Sequence, residues 1–170
     1  AGRLPALPGT AATMGDWSDH LTTVFPEVRL KRYLEMRGAD GGPWRRICAL
    51  PALWTGLLYD PGALDAAWDL CKDFTLEEHE YLRREVPRQA LRTPFRGRPL
   101  LALAREVVAL ARAGLNARGV LDATGTNEAY HLETLEDILR RETTPAEMKL
   151  DLYHGRWNGS VDPLYSEYAY

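Results

Sequence analysis

A mostly helical α+β chain is what this sequence predicts, and three observations predict it. The stretch Val28 to Met36 alternates in side-chain character residue by residue, the period of a β-strand. After Pro43 apolar residues recur every three or four positions, the period of a helix. Proline, glycine and Thr-x-x-Glu signals mark where one element stops and the next begins.

Residues 1–12 are rich in Pro, Gly and Ala and read as an irregular lead-in. Asp16 to Val24 reads as a short helix, capped by Thr13 or Asp16 and closed by Pro26. The strand then places Arg29, Lys31, Tyr33, Glu35 and Arg37 on one face. Val28, Leu30, Leu34 and Met36 take the other, with Arg32 out of phase. A long helix is expected from Trp44 to Tyr59, kinked or broken at Pro51. Asp60-Pro61-Gly62 reads as a turn, and Leu64, Ala67, Trp68 and Cys71 as the apolar stripe of the next helix. Thr75 to Glu78 spells a capping box whose helix is expected to stop before Pro87. Arg88 to Pro99 reads as a basic loop. Leu100 to Arg118 is the clearest helix, with Leu100, Leu103, Ala104, Val107, Ala111 and Leu115 on one side and Gly119 as its stop. His131 to Arg141 gives another. Thr144-Pro145-Ala146-Glu147 opens the last, a second capping box with Pro at the first helical position. Gly155 to Tyr170 reads as an irregular aromatic tail.

A lone strand among helices cannot satisfy its own backbone N–H and C=O groups. Partner strands are therefore expected outside these 170 residues. The first residue, Ala1, is not Met, and from both points the chain is expected to be the C-terminal portion of something longer. Apolar residues at 45% and charged residues at 26% fit a soluble globular chain with a real core. A net charge of -3 disfavours a nucleic-acid partner. No apolar run reaches the ~20 residues of a membrane span, and no signal-peptide pattern opens the chain. Cys48 and Cys71 are too far apart for a zinc knuckle and read as ordinary reduced thiols, with Cys71 expected to be buried in its stripe. The histidines show no ligand spacing.

Glu35 and Arg37 leave two readings open. One is a solvated sheet face carrying cross-strand ion pairs. In the other, both side chains point into a cleft, where Glu35 holds Mg2+ and Arg37 grips a phosphate with its planar fork. Gly38 to Gly42 is likewise either an ordinary turn or a backbone seat for an anion at the start of the following helix. Asp40 would compete with such an anion unless it caps the helix or pairs with Arg45 or Arg46. The P-loop pattern is absent.

The block from Phe25-Pro26-Glu27 through Tyr33-Leu34-Glu35-Met36-Arg37-Gly38-Ala39-Asp40-Gly41-Gly42-Pro43-Trp44-Arg45-Arg46 resembles glutamate–cysteine ligases of the plant and alphaproteobacterial type. The likeness begins at Asp16-Trp17 and continues through Cys48 to Ala52 and Gly56 to Asp60. It returns at Thr93 to Arg96, Thr144 to Glu147, Gly155, Trp157 and Ser160 to Pro163, so it covers nearly the whole chain.

That resemblance implies the C-terminal, mostly helical part of a glutamine-synthetase-like catalytic fold, with an antiparallel sheet around a funnel. Residues 1–170 would be one portion of a single catalytic domain whose N-terminal part is absent. The implied activity is ATP-dependent: the γ-carboxylate of glutamate is phosphorylated, and the amine of cysteine displaces phosphate. ATP and Mg2+ are the implied cofactors, with no nucleic acid and no membrane involved. The family's Tyr-x-Glu-x-Arg strand maps onto Tyr33, Glu35 and Arg37. It implies Glu35 as metal ligand, Arg37 as catalytic and phosphate-binding, and Tyr33 at the nucleotide. Trp44, Arg45, Arg46 and Arg96 are candidates to line the substrate funnel, or else brace their loops. Cys48 matches a position that plant relatives use in a regulatory disulfide, with its partner upstream. The implied location is cytoplasmic, or a plastid if the source is a plant. A related ligase using another amine, and a non-catalytic helical binding module, are the alternatives.

Overall fold

The computed structural model describes residues 8–23 and 25–169. They fall into two units, one up to Asp40 and one from Gly41 onward. Helices dominate, with two antiparallel two-stranded sheets, which bears out the α+β class. The expected irregular lead-in is described only from Pro8 onward, because residues 1–7 lie outside the described residues.

In the first unit, α1 spans Met14–Leu21. Thr13 and Asp16 both serve its start: the Asp16 carboxylate accepts from the Thr13 N–H at 2.6 Å, and the Thr13 hydroxyl accepts from the Asp16 N–H at 3.2 Å. It ends at Leu21, where the Thr22 and Thr23 hydroxyls donate to the carbonyls of Asp19 and His20. The expected end at Val24 lies outside the described residues.

The single strand expected over Val28 to Met36 is corrected to a hairpin. Strands β1, Val28–Leu30, and β2, Leu34–Met36, pair antiparallel with Arg29 opposite Glu35. Lys31, Arg32 and Tyr33 form the turn, closed by the Lys31 N–H donating to the Tyr33 carbonyl at 2.9 Å. Arg32 is out of phase because it sits where the chain reverses. The strand therefore has one partner in its own sequence, in a sheet of two strands. No described residue of this unit is buried.

The second unit opens with α2, Trp44–Leu58, and α3, Pro61–Cys71. Pro51 neither breaks nor ends α2, and it lies on an exposed face. Asp60 caps α3 by accepting from the Ala63 N–H at 2.8 Å, so the expected turn is a helix start with Pro61 as its first residue. Helix α4 spans Leu76–Gln89 behind the expected Thr75–Glu78 capping box. It runs through Pro87 instead of stopping before it. A proline so near the C-terminal end removes a single hydrogen bond, a loss the helix tolerates there.

The basic loop is corrected to a short helical turn, Ala90–Arg92, and a hairpin of β3, Pro94–Phe95, and β4, Arg98–Pro99. Arg96 and Gly97 make its tip at φ 47° and 79°, the left-handed pair of a tight hairpin turn. Helix α5, Leu100–Arg118, has the expected bounds, and Gly119 ends it at φ 63°. The segment expected as one helix from His131 divides into a 3-10 turn, Glu128–Leu132, and α6, Glu133–Arg141. Helix α7, Pro145–His154, starts at its capping box as expected.

The tail is not irregular throughout. Its described part contains α8, Asp162–Glu167, and Trp157 is buried, donating from its indole to Glu167 at 3.2 Å. Tyr170 lies outside the described residues.

Small residues organise the core. At the contact between α2 and α5, a Cβ on Gly114 would stand 2.0 Å from the Gly56 carbonyl oxygen. A Cβ on Gly56 would stand 2.1 Å from that of Ala111. Around this contact Ala52, Leu57, Ala111, Leu115, Ala129 and Leu132 form the buried core. A second cluster of Leu101, Val108 and Leu139 joins it through Leu53 and Leu135.

The predicted stripes shift accordingly. The side of α5 that carries Leu101, Val108, Ala111 and Leu115 is the most buried. Helix α3 packs through Ala63, whose Cβ would stand 2.9 Å from one on Gly114, and through Ala67 against the core. Trp68 is 63% exposed, and Cys71, expected to be buried, is exposed. No helix among the described residues is long and apolar enough to cross a membrane.

Gly114→Ala is expected to cost at least ~3 kcal/mol, because backbone is what the new methyl meets. The measurement is the urea midpoint. Gly125→Ala has nothing within 4 Å of its Cβ and serves as the control; only its φ of 80° is strained. It is expected to cost about 1 kcal/mol.

Candidate functional site

The hairpin of the first unit brings together Arg29, Glu35 and Arg37. Residues directly opposite in an antiparallel pair share a face, so Arg29 and Glu35 meet across the register. Arg29 Nε donates to Glu35 Oε2 at 2.7 Å, and Arg37 Nε stands 3.9 Å from the same oxygen. All three side chains are roughly one quarter to one third exposed, at 32%, 30% and 24% for Arg29, Glu35 and Arg37. The hydrogen bond from Arg29 leads in holding the Glu35 carboxyl below its ordinary range, with Lys31 and Arg37 adding positive charge. Glu35 Oε1 carries no hydrogen bond among the described residues.

Arg37 is held by different means. Its backbone N–H donates to the Glu27 carbonyl at 2.8 Å, which extends the pairing beyond the strand ends. Its guanidinium lies 4.9 Å over the Phe25 ring, a cation–π contact. Its Nη1 is buried and has no acceptor among the described residues. A buried donor without a partner is costly, and it fits an anionic oxygen that binding would supply.

The expected cofactors can be tested against this donor set. Glu35 offers one carboxylate oxygen tied back and one open, which suits a single ligand to a hard cation such as Mg2+. The described residues contain no cluster of three or more groups able to hold a metal, so Glu35 would be one member of a larger set. Tyr33 lies in the hairpin turn and not on a strand face, with 61% of its surface exposed.

The second unit places the other candidates. Trp44, the first residue of α2, is 72% exposed. Arg45 lines a cavity of about 650 Å³ with Tyr130, His131, Glu133, Asp137 and Arg140. Asp137 pairs with Arg140 at 2.9 Å and Arg141 at 2.7 Å, and the Tyr130 and His131 rings stack 3.9 Å apart. Arg46 lines a separate cavity of about 150 Å³ with Met148 and Tyr168. A Cβ on Gly42 would stand 3.0 Å from Arg46 Nε, so that glycine makes room for the side chain. The N-cap of α2 is Pro43, with no side-chain hydrogen bond. Neither Gly38 nor Gly42 lies in the left-handed region.

Arg96 stands apart from both cavities. Its Nε and Nη2 donate to the two oxygens of Glu78 at 2.6 Å each, and Nη2 also donates to the Asp73 carbonyl. Its guanidinium lies 4.7 Å over Phe74 and 5.6 Å over Phe95. The pairing with Arg96 and the Thr75 N–H bond lower Glu78 to about 2. Arg96 is thus a clasp between the β3–β4 hairpin and the start of α4.

Sequence reasoning placed Glu35 and Arg37 together, and Arg37 Nε stands 3.9 Å from Glu35 Oε2. That reasoning missed the partnership of Arg29 with Glu35, the Phe25 platform, and Tyr130, His131 and Asp137 around Arg45. The Arg29 pairing needs the hairpin register, and the cavity needs α2 beside α6; neither leaves a local signal.

Comparison with known proteins reaches the same stretch and far beyond it. A family model described as glutamate-cysteine ligase family 2 matches residues 6–167. Curated relatives named glutamate–cysteine ligase, chloroplastic, are 52% identical over 169 residues in Solanum lycopersicum and 53% over 170 residues in Arabidopsis thaliana. The matches cover 99% and 100% of this chain. The chain spans 31% of the length of either relative. A glutamate–cysteine ligase A of Oryza sativa subsp. indica is 51% identical over 99% of this chain and 33% of its own. The class these matches define is the glutamate–cysteine ligases. The chain belongs to glutamate–cysteine ligase family 2.

A carboxylate whose pKa is lower in the folded chain than in the unfolded one adds stability above its unfolded value and loses it as pH falls. For Glu78 the window runs from its ordinary 4.5 down to about 2. Arg96→Met is therefore expected to lower the melting temperature at pH 7. The gap to the parent chain should narrow steadily as pH falls through that window, as read by circular dichroism melts.

Proposed function

We propose that these residues form part of an ATP-dependent ligase that joins the γ-carboxylate of glutamate to the amine of cysteine, the first step of glutathione synthesis. The remainder of the catalytic domain, of glutamine-synthetase-like fold, lies in the longer chain to which this segment belongs. Family membership with 52% identity over 99% of the chain carries the reading. The open Glu35 oxygen and the buried, unpartnered Arg37 nitrogen support it.

In this reading ATP gives its γ-phosphoryl group to the glutamate γ-carboxylate, forming γ-glutamyl phosphate and ADP. The cysteine amine then attacks the acyl carbon, and phosphate leaves. Mg2+ would supply neutralising charge at the phosphates. Glu35 is the ligand this segment contributes to it. Arg37 lends its planar fork to the phosphoryl oxygens and is held over the Phe25 ring, so little reorganisation accompanies charge transfer. Tyr33 stands in the hairpin turn, available to the nucleotide. Trp44, Arg45 and Arg46 serve the substrate side, with Arg45 lining the cavity of about 650 Å³. Arg96 serves as a brace. The relatives are named chloroplastic, and the same location follows for this chain if its source is a plant.

In the full-length protein, ADP release is expected to require both glutamate and cysteine. Glu35→Gln and Arg37→Met are each expected to lower kcat about 10²–10³-fold. Arg37→Lys should not restore it, since a point charge lacks the fork. The 170 residues alone are expected to give no turnover. Turnover by the segment alone, or full activity in Glu35→Gln, would overturn the reading. Replacing cysteine with other amines separates it from a sister ligase.

A further inference from the structure

We propose that Arg29 is a positioning residue for Glu35, holding one carboxylate oxygen so that the other stays available to a divalent cation. The inference rests on the reading of Glu35 as a metal ligand and adds a residue to it.

The pairing follows from backbone register. Arg29 stands opposite Glu35 in a hairpin only three residue pairs long. The contact between the Lys31 N–H and the Tyr33 carbonyl pins the turn. A slip of one residue would send Arg29 to the opposite face, so the register is what delivers the guanidinium. The bond runs from Nε to Oε2 at 2.7 Å, and Oε1 is left without a hydrogen bond among the described residues. Arg37 cannot take over the task. Its Nε stands 3.9 Å from Oε2, and its guanidinium is held over Phe25.

Two effects of Arg29 oppose each other. Its positive charge, added to those of Lys31 and Arg37, repels a divalent cation at Glu35. Its hydrogen bond removes rotamer freedom that the carboxylate would otherwise lose on binding, and it fixes which oxygen faces outward. The proposal is that positioning outweighs repulsion. The two effects predict opposite signs when Arg29 is replaced, which makes the question decidable.

The test is a titration with Mn2+ alone, followed by electron paramagnetic resonance, on the full-length ligase and its variants. Arg29→Met is expected to weaken Mn2+ binding about tenfold and alter the bound-metal spectrum, the effect typical of losing a partner behind a ligand. Arg29→Gln keeps N–H donors without the charge and is expected to bind within a few-fold of the parent. Unchanged or tighter binding in Arg29→Met overturns the proposal. If that variant fails to fold by circular dichroism, Arg29→Lys decides, because it keeps the charge and loses the planar donor. Several-fold weaker binding supports the proposal and unchanged binding overturns it. Glu35→Gln separates the two levels. If it leaves Mn2+ binding intact, the metal-ligand reading fails and takes this inference with it. If it abolishes binding while the Arg29 variants do not weaken it, only the positioning role fails.

Discussion

The helical unit depends on the backbone contact between α2 and α5 at Gly56 and Gly114. Helices normally stand 8–10 Å apart because side chains intervene. Here neither contact position can hold even a methyl group without striking a carbonyl. That closeness selects what surrounds it: Ala52, Ala63 and Ala111 pack nearby, and larger residues such as Leu53 and Trp54 take the flanks. It also fixes the position of α2, whose first turn carries Trp44, Arg45 and Arg46. Helix α6 is tied to the same frame, through the Arg112–Glu136 ion pair and through Arg105, which donates to the Leu139 carbonyl and to Glu142 at 2.9 Å. The cavity beside Arg45 is thus walled by elements that share α5 as their reference.

The first unit is built on a different principle. With no buried residue among those described, it has no core to set its geometry. Two-stranded hairpins are marginal without packing. Direction comes from polar contacts: a capping box at Thr13, a backbone bond from Arg37 to Glu27, an ion pair across the register, and a guanidinium laid over a ring. Such contacts add little stability when exposed, but they are directional. A site that must present particular oxygens and nitrogens needs direction more than it needs local stability.

The legible parts of the fold were those written locally. The capping boxes at Thr75 and Thr144 and the bounds of α5 each lie within a few residues, and each appears where the sequence places it. The hairpin was illegible because period-2 alternation continues across a short reversal. Lys31-Arg32-Tyr33 contains no Gly, Pro, Asn or Asp to announce the turn. The α3 stripe misled for the opposite reason. Trp68 and Leu64 are the larger residues, but it is Ala63 that lies against Gly114. The closeness of Glu35 and Arg37 was readable because two-residue spacing survives either backbone. Arg29 became their partner only once the chain folded back.

Arg45 and Arg96 stand equal in the sequence as candidates for the substrate funnel, and their surroundings separate them. A guanidinium serves a ligand only with donors it can spare. Arg96 gives its donors to both oxygens of Glu78 and to the Asp73 carbonyl, and its face to two phenylalanines. Freeing it would leave Glu78 without the partner that holds its carboxyl low, at the very start of α4. Arg45 makes no ion pair with a described residue and lines a cavity of about 650 Å³, where Asp137 is already engaged by Arg140 and Arg141. The difference lies in donor accounting, not in motif membership. The fork of Arg96 is full, and that of Arg45 is unspent on any described ion pair.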